Sequence, residues 1–199
     1  SATGAAICSS PHMLHAEHLR QLLGRGWHVM VDKPFVMASA DAQSLAQAAA
    51  EGDLVNAVAF TRRFDRAALR AREIIASGGI GEVRFIQSTQ LGYERAGWFL
   101  KPELGGGGPF TGRGTHIADL APWLLNQRPV RVRSRIRGGS AQRSDEGGFI
   151  ELQFKTLECH MTCVEEGLHM WDEVRVFGDD GMIEMRRPLD RKSTRLNSS

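Results

Sequence analysis

The chain has 199 residues, a formal net charge of +2 and only three cysteines, so it is long enough for one ordinary domain and lacks a disulfide framework. The final ten residues, 190–199, hold the entire charge surplus, and the neutral remainder argues against a nucleic-acid partner. No apolar run approaches the ~18 residues of a membrane span, and the cysteine usage favours a reducing cytoplasm.

The two ends of the chain favour a segment of a longer protein. Ser1 stands where an initiator methionine is expected, and an apolar strand pattern begins almost at once at Ala5. Residues 190–199 show no apolar periodicity and match one reading frame of a widely used sequencing adapter. We expect these ten residues to be a non-native tail and leave them out of the fold prediction. An ordinary polar C-terminal tail is the alternative.

The first 60 residues alternate between strand and helix patterns. Strands are predicted at residues 5–8, 27–31 and 55–60. Ser10 and Pro11 are predicted to begin the first helix as cap and first-turn proline. Short links between alternating strands and helices predict right-handed crossovers and a parallel sheet. The apolar residues with helical spacing are Ala16, Leu19, Leu22 and Leu23, then Ala42, Leu45, Ala46 and Ala49.

This pattern is half of a doubly wound dinucleotide-binding fold. Such a fold carries G-x-G-x-x-G in its first strand–helix turn, and the sequence contains no such motif. We expect residues 1–60 to be the C-terminal half of a dinucleotide-binding domain. The other half would hold the glycine motif and the residue that selects NAD or NADP.

Beyond residue 60 the pattern changes to strands in series. Asp65 is predicted to cap a helix, and strands are predicted over residues 82–93, 130–137, 149–155, 157–165 and 173–177. We expect a second domain, residues 61–189, with a mostly antiparallel sheet whose one face carries the helices at Asp65 and Thr115. The other face is left for a partner subunit. The predicted fold class is therefore α/β followed by α+β. The inner face of the Asp65 helix is predicted to hold Ala67, Ala71, Ile74 and Ile75.

Two short motifs, roughly 80 residues apart, contain the residue types that are needed to oxidise an alcohol. Asp32-Lys33-Pro34 follows an apolar strand, at the carboxyl end where open α/β sheets bind ligands. The glycines 105–108 lead to a helix that carries His116. An ammonium and an imidazole in one cleft can polarise an oxygen and exchange its proton. The structural alternatives are a lysine in a surface turn and a histidine that stabilises its helix.

With both motifs in this order and at this distance, the chain resembles the glucose–fructose oxidoreductase/inositol dehydrogenase (Gfo/Idh/MocA) family over about residues 4–188. The resemblance implies an NAD- or NADP-dependent oxidoreductase of a sugar, cyclitol or similar polyol, acting as a homo-oligomer. It implies Lys33 and His116 as catalytic residues, with His116 taking the hydroxyl proton. Candidate substrate contacts are Trp98, Arg62 and Asp119; candidate cofactor contacts are Ser10, Pro11, His15, Asp32, Lys33 and Pro34. Interdomain salt bridging is the alternative for Arg62.

One position departs from the family pattern. An aspartate usually stands four residues before the histidine, and this chain has Gly112 there. Asp119 or the Thr115 hydroxyl is a candidate for the orienting role. The departure also keeps open a sugar- or dinucleotide-sensing regulator on the same fold, and an NAD-dependent glycoside hydrolase is a third reading. Pro122 within the same helix predicts a kink.

Two polar clusters are predicted to be structural, and no metal site is expected. Strand periodicity places His160 on the face opposite Cys159 and Cys163, and the spacing with His169 fits no zinc pattern. A row of arginines alternates with apolar residues and is typical of a solvated or subunit-facing sheet surface. The row consists of Arg131, Arg133, Arg135 and Arg137.

Overall fold

The computed structural model describes residues 4–92, 97–140, 143–164 and 171–187. A three-stranded parallel sheet comes first in the chain, and a six-stranded, mostly antiparallel sheet follows. This arrangement confirms the predicted fold class. Tyr93, Glu165, His169 and residues 190–199, to which predictions were attached, lie outside the described residues.

The first sheet consists of β1 (Ala5–Cys8), β2 (His28–Val31) and β3 (Asn56–Val58), in that order and all parallel. Two helices connect them, α1 (His15–Gly24) and α2 (Ser39–Glu51). Both helices pack on one face of the sheet because their apolar stripes face it. The resulting core contains Cys8, Leu19, Leu23, Val29, Val31, Leu45 and Ala49.

The prediction that Ser10 and Pro11 begin α1 is wrong. Pro11 precedes a 3-10 turn (His12–Leu14), and α1 starts at His15. The polar atoms of Ser10 are engaged elsewhere: its hydroxyl lies 2.9 Å from Nδ1 of His18, and its carbonyl oxygen lies 2.9 Å from Nε2 of His15. A hydroxyl held in this way cannot cap the backbone N–H groups of a helix.

The predicted third strand is also longer than the observed β3. The backbone N–H of Phe60 donates to the carbonyl of Val58 at 2.8 Å, and that of Thr61 donates to Ala59 at 2.9 Å. These local bonds turn the chain out of the sheet and into a 3-10 helix (Thr61–Phe64). Residues that follow β3 therefore lie at the carboxyl edge of the first sheet.

The second sheet has the strand order β5-β6-β7-β4-β8-β9, and within it only β4 and β7 are parallel neighbours among the described strands. Its strands are β4 (Val83–Leu91), β5 (Arg131–Ser140), β6 (Arg143–Gln153), β7 (Glu158–Val164), β8 (Trp171–Gly178) and β9 (Met182–Arg186).

Two helices cover one face of the second sheet, α3 (Arg66–Ala76) and α5 (Thr115–Leu125). Ile86 at the centre of β4 is fully enclosed beneath them. Three of the four residues predicted for the inner face of α3 do face the core, namely Ala71, Ile74 and Ile75. The fourth prediction is wrong, because Ala68 is buried and Ala67 is exposed. The residues of α5 that are buried against this sheet share a helical spacing: Ile117, Leu120, Ala121 and Leu124.

The other face of the second sheet carries charged and aromatic side chains. Phe85 of β4 lies beside Phe177 of β8 on this face, with ring centroids 6.1 Å apart. The row of arginines lies along the edge strand β5. Arg133 lies 3.6 Å from Glu151, which shows that this row pairs with acidic residues of β6. His160 is exposed on this face while Cys159 and Cys163 are buried on the other, as predicted.

No helix among the described residues is both long and apolar enough to cross a lipid bilayer.

We predict that Ile86→Ala destabilises the second sheet by about 2–5 kcal/mol, because it removes enclosed methyl groups and leaves a cavity. Urea denaturation followed by tryptophan fluorescence measures the change in the free energy of unfolding. Leu69→Ala, on the outer face of α3 where the side chain is 44% exposed, is the matched control and should cost less than about 0.5 kcal/mol. Equal losses for both substitutions would contradict the assigned core.

Candidate active site

A hydrogen bond from Lys33 joins the Asp32-Lys33-Pro34 motif to the segment that follows the glycines 105–108. Lys33 follows β2, and its Nζ donates to the carbonyl oxygen of Gly112 at 2.6 Å, although the two residues are 79 positions apart. Gly112 lies in a π-helical turn (Phe110–Gly114) that runs directly into α5. His116 is the second residue of α5, so the carbonyl that the ammonium contacts lies about one helical turn before His116 along the chain.

The loop that carries Lys33 is fixed on both sides. The carboxylate of Asp32 accepts a hydrogen bond from the backbone N–H of Lys33 at 2.8 Å. The fully buried His15 places Nδ1 2.9 Å from the carbonyl oxygen of Pro34 and Nε2 2.9 Å from that of Ser10. His15 therefore ties the loop after β1 to the loop after β2.

The glycine-rich segment follows a short helix, α4 (Pro102–Gly105), and is anchored from a distance. Asp145 of β6 accepts a hydrogen bond from the backbone N–H of Gly108 at 2.6 Å. A Cβ atom at position 108 would lie 2.0 Å from the Asp145 carbonyl oxygen, so only glycine fits there. His12 holds the other end, with Nδ1 2.9 Å from the carbonyl oxygen of Gly105. Neither anchor was predicted, because each is distant in sequence from the loop it holds.

His116 lies half-buried among positive charges. Its Nδ1 is enclosed and has no hydrogen-bond partner within the described part of the chain. Burial lowers the pKa of His116 to about 3, and four nearby positive charges act in the same direction. These charges belong to Arg62, Lys33, Arg187 and Arg113. The imidazole is therefore neutral at pH 7, which is the state that can accept a proton.

Neither residue expected to orient His116 does so. Both carboxylate oxygens of Asp119 accept hydrogen bonds from Arg63, one of them from Nε at 2.8 Å. The Thr115 hydroxyl donates to the carbonyl of Thr111 at 3.2 Å. Asp119 lies one helical turn after His116. Its carboxylate forms an ion pair with the guanidinium of Arg63, which belongs to the 3-10 helix that follows β3. Its expected substrate contact remains a prediction.

Arg62, in the 3-10 helix after the first sheet, forms an ion pair with a residue of the second sheet. It is 8% exposed and makes a two-point ion pair with Asp172 of β8, one contact being 2.9 Å from Nη1 to Oδ1. The amide oxygen of Gln90, at the end of β4, accepts from both terminal nitrogens of Arg62 at 3.0 Å, and its amide nitrogen donates to the Arg113 carbonyl at 3.1 Å. The observed contacts are thus those of the salt-bridge alternative, although the charge of Arg62 still acts on His116.

Trp98 lies in a 3-10 helix (Gly97–Leu100) at the entrance to the glycine-rich segment. Its ring stacks on Phe99, with centroids 3.8 Å apart, and meets the edge of His12 at 4.9 Å. These contacts support the loop that leads to the glycines. A role for Trp98 in contacting substrate remains a prediction.

We predict that His116 makes the protein less stable in acid. The folded chain holds the His116 pKa near 3, against 6.5 for the unperturbed group, so between these values the unfolded chain binds more protons. The contribution of neutral His116 is fully present above about pH 6.5, and the free energy of unfolding falls as the pH decreases, by at most about 1.4 kcal/mol per pH unit.

Urea denaturation of the wild type and His116→Gln between about pH 7 and pH 4 tests this expectation. The variant should lose this part of the decline, whereas His18→Gln, a control in α1, should keep it. Parallel pH profiles for wild type and His116→Gln would contradict the assigned burial.

Two family models match the chain in consecutive segments. The one described as "Oxidoreductase family, NAD-binding Rossmann fold" matches residues 2–60, and the one described as "GFO/IDH/MocA C-terminal domain" matches residues 68–184. The second alone covers more than half of the chain.

Named relatives and solved structures match the same region. The chain is 34% identical to a 1-carboxy-3-chloro-3,4-dihydroxycyclohexa-1,5-diene dehydrogenase of Comamonas testosteroni, over 72% of this chain and 37% of that protein. It is 33% identical to the D-glucoside 3-dehydrogenase of Escherichia coli, over 63% of this chain and 36% of that protein. The structure of GenD2 from gentamicin A biosynthesis in complex with NAD has a TM-score of 0.82 at 24% identity, over 92% of this chain and 54% of GenD2.

The chain thus spans about half of that solved structure and a smaller share of the curated relatives. The family models, the parallel half-sheet and the following mixed sheet agree with one another. The chain belongs to the Gfo/Idh/MocA family of NAD-binding oxidoreductases.

Proposed function

We propose that the protein transfers a hydride between a nicotinamide cofactor, NAD or NADP, and a hydroxyl-bearing carbon of a sugar, cyclitol or similar polyol. The observation that carries this proposal is the Lys33–Gly112 hydrogen bond, which places an ammonium on the backbone carbonyl four residues before a neutral imidazole. Two relatives whose names describe a dihydroxycyclohexadiene dehydrogenase and a glucoside dehydrogenase support the substrate class.

The residues at the carboxyl edge of the first sheet fit the nicotinamide end of such a cofactor. Ser10, Asp32 and Lys33 follow β1 and β2 at the edge where open α/β sheets bind ligands. Pro11, His15 and Pro34 shape the same loops. No glycine motif for the diphosphate occurs in this sequence. The chain's own residues would therefore hold only one end of the cofactor.

Lys33 and His116 have different roles at the substrate hydroxyl. The bound nicotinamide supplies the hydride acceptor. Because Nδ1 of His116 is enclosed, Nε2 is the nitrogen left to accept the hydroxyl proton. The Lys33 ammonium stabilises the negative charge that develops on the same oxygen. Loss of the hydride and the proton converts the alcohol to a carbonyl.

We predict that Lys33→Met lowers kcat/KM by about 100- to 1,000-fold, because it removes the charge that stabilises the reacting oxygen. The assay follows nicotinamide absorbance with a panel of sugars and cyclitols, using the whole protein encoded at the source locus. Lys155→Met, in the β6–β7 turn, is the matched control and should leave turnover unchanged.

Unchanged turnover in Lys33→Met would rule out this mechanism. Binding of sugars and cofactor by the wild type without turnover of any substrate would favour the sensing regulator.

We also propose that the open face of the second sheet is buried against a second copy of the chain. Phe149 is 45% exposed on this face, where it lies opposite Thr162 of β7, and supports this surface. Phe149→Glu would place an unpaired charge in the contact, and such burial is costly. We predict that it converts an oligomer of the 21.9 kDa chain into a monomer in light scattering coupled to gel filtration.

Leu69→Glu, at a position of almost equal exposure on α3, is the control and should leave the mass unchanged. A wild-type monomer, or an oligomer that tolerates Phe149→Glu, would contradict this interface.

A further inference from the structure

Two consecutive backbone carbonyls of the π-helical turn are bound by side chains from different sheets. The carbonyl oxygen of Gly112 accepts a hydrogen bond from Lys33, which follows β2 of the first sheet. The carbonyl oxygen of Arg113 accepts a hydrogen bond at 3.1 Å from the side-chain amide of Gln90, which belongs to β4 of the second sheet. His116 follows three residues later. The backbone that leads into His116 is therefore bound to both sheets at adjacent positions.

The amide group of Gln90 is engaged at both ends, and the side chain is only 2% exposed. Its oxygen accepts hydrogen bonds from both terminal nitrogens of Arg62 at 3.0 Å, and Arg62 in turn pairs with Asp172 of β8. An amide suits this place because it offers a donor and an acceptor, whereas an ionised carboxylate only accepts. Gln90 thus connects the 3-10 helix after the first sheet to the turn before His116.

Burial on this face of β4 does not by itself produce such a bridge. Ser88 lies two residues before Gln90, on the same face of the strand. It is 1% exposed, and its hydroxyl oxygen has no hydrogen-bond partner among the residues that the structure describes. Gln90, by contrast, reaches one group on each side of it. The pair provides a bridging residue and a matched control in the same surroundings.

We propose that Gln90 is a positioning residue: by binding the Arg113 carbonyl it fixes the turn so that the Lys33 ammonium and the His116 imidazole meet the same substrate oxygen. This inference rests on the proposed function and adds to it a residue that acts without touching the substrate. Its expected effect is large, because a displacement of about 1 Å between reacting groups can slow a reaction about 100-fold.

The first test requires no turnover and uses the 199-residue chain. Gln90→Met removes both hydrogen-bonding ends of the side chain at nearly constant length. It should speed hydrogen exchange of the backbone amides at residues 112–118 by at least about 10-fold, because it loosens the turn locally. Ser88→Ala is the control and should leave this exchange unchanged. Mass spectrometry of proteolytic fragments measures the rates, and unchanged rates in Gln90→Met would overturn the inference.

Gln90→Glu is a second variant, which keeps the acceptor for Arg62 and lacks the donor for the Arg113 carbonyl. It should show the same local increase in exchange, and it decides the question if Gln90→Met does not fold. A Gln90→Glu variant that folds and exchanges like the wild type would equally overturn the inference.

The second test is kinetic and uses the whole protein encoded at the source locus. Gln90→Glu should lower kcat about 10- to 100-fold and leave KM within about twofold, because it displaces the reacting groups without removing a substrate contact. In the Lys33→Met background the same substitution should cost less than about threefold, because the ammonium that it positions is already absent. Equal losses in both backgrounds would indicate a merely structural role and would contradict the proposal.

These outcomes are distinct from those that test the proposed function. A wild-type protein that turns over no sugar or cyclitol would refute the oxidoreductase, and the exchange rates would then decide whether Gln90 fixes the turn. Turnover that is insensitive to Gln90→Glu would refute only the positioning role.

Discussion

The hydrogen bond from the Lys33 ammonium to the Gly112 carbonyl is the contact on which the candidate site depends. It links the carboxyl edge of the first sheet to the helical segment that carries His116, across 79 positions of sequence. Charge-assisted hydrogen bonds of this kind are short and strong, and their geometry is well defined. Because Gly112 offers only backbone here, the lysine meets a carbonyl oxygen where the family pattern places a carboxylate.

The remaining contacts hold this geometry in place. Asp145 and His12 fix the two ends of the glycine-rich segment, and His15 fixes the loop that carries Lys33. None of these three side chains needs to touch a substrate to matter, because a reacting hydroxyl must meet both functional groups at once. The same rigidity keeps the imidazole among cations, where burial and charge lower its pKa to about 3. The result is a neutral imidazole that is a weak base.

Sequence reasoning could predict what periodicity and local motifs determine. The parallel half-sheet, the apolar stripe of α5 and the opposite faces of His160 and Cys159 follow from periods of 3.6 and 2, and the structure agrees. Side-chain partners were not predictable in this way. Asp119 bonds to Arg63 over 56 positions, and Asp145 reaches Gly108 over 37. The prediction that Ser10 caps a helix is wrong because its hydroxyl lies 2.9 Å from Nδ1 of His18, a contact that the sequence does not reveal.

The central claim is that Lys33 and His116 act together on one substrate oxygen. A double-mutant cycle measures this most directly, with kcat/KM determined for Lys33→Met, His116→Gln and the double variant in the whole protein. If both groups serve the same step, the double variant should be no more than about 10-fold slower than the slower single variant, because residues that act as a unit are strongly non-additive. Losses that multiply would show that the two residues act independently and would contradict this account of the site.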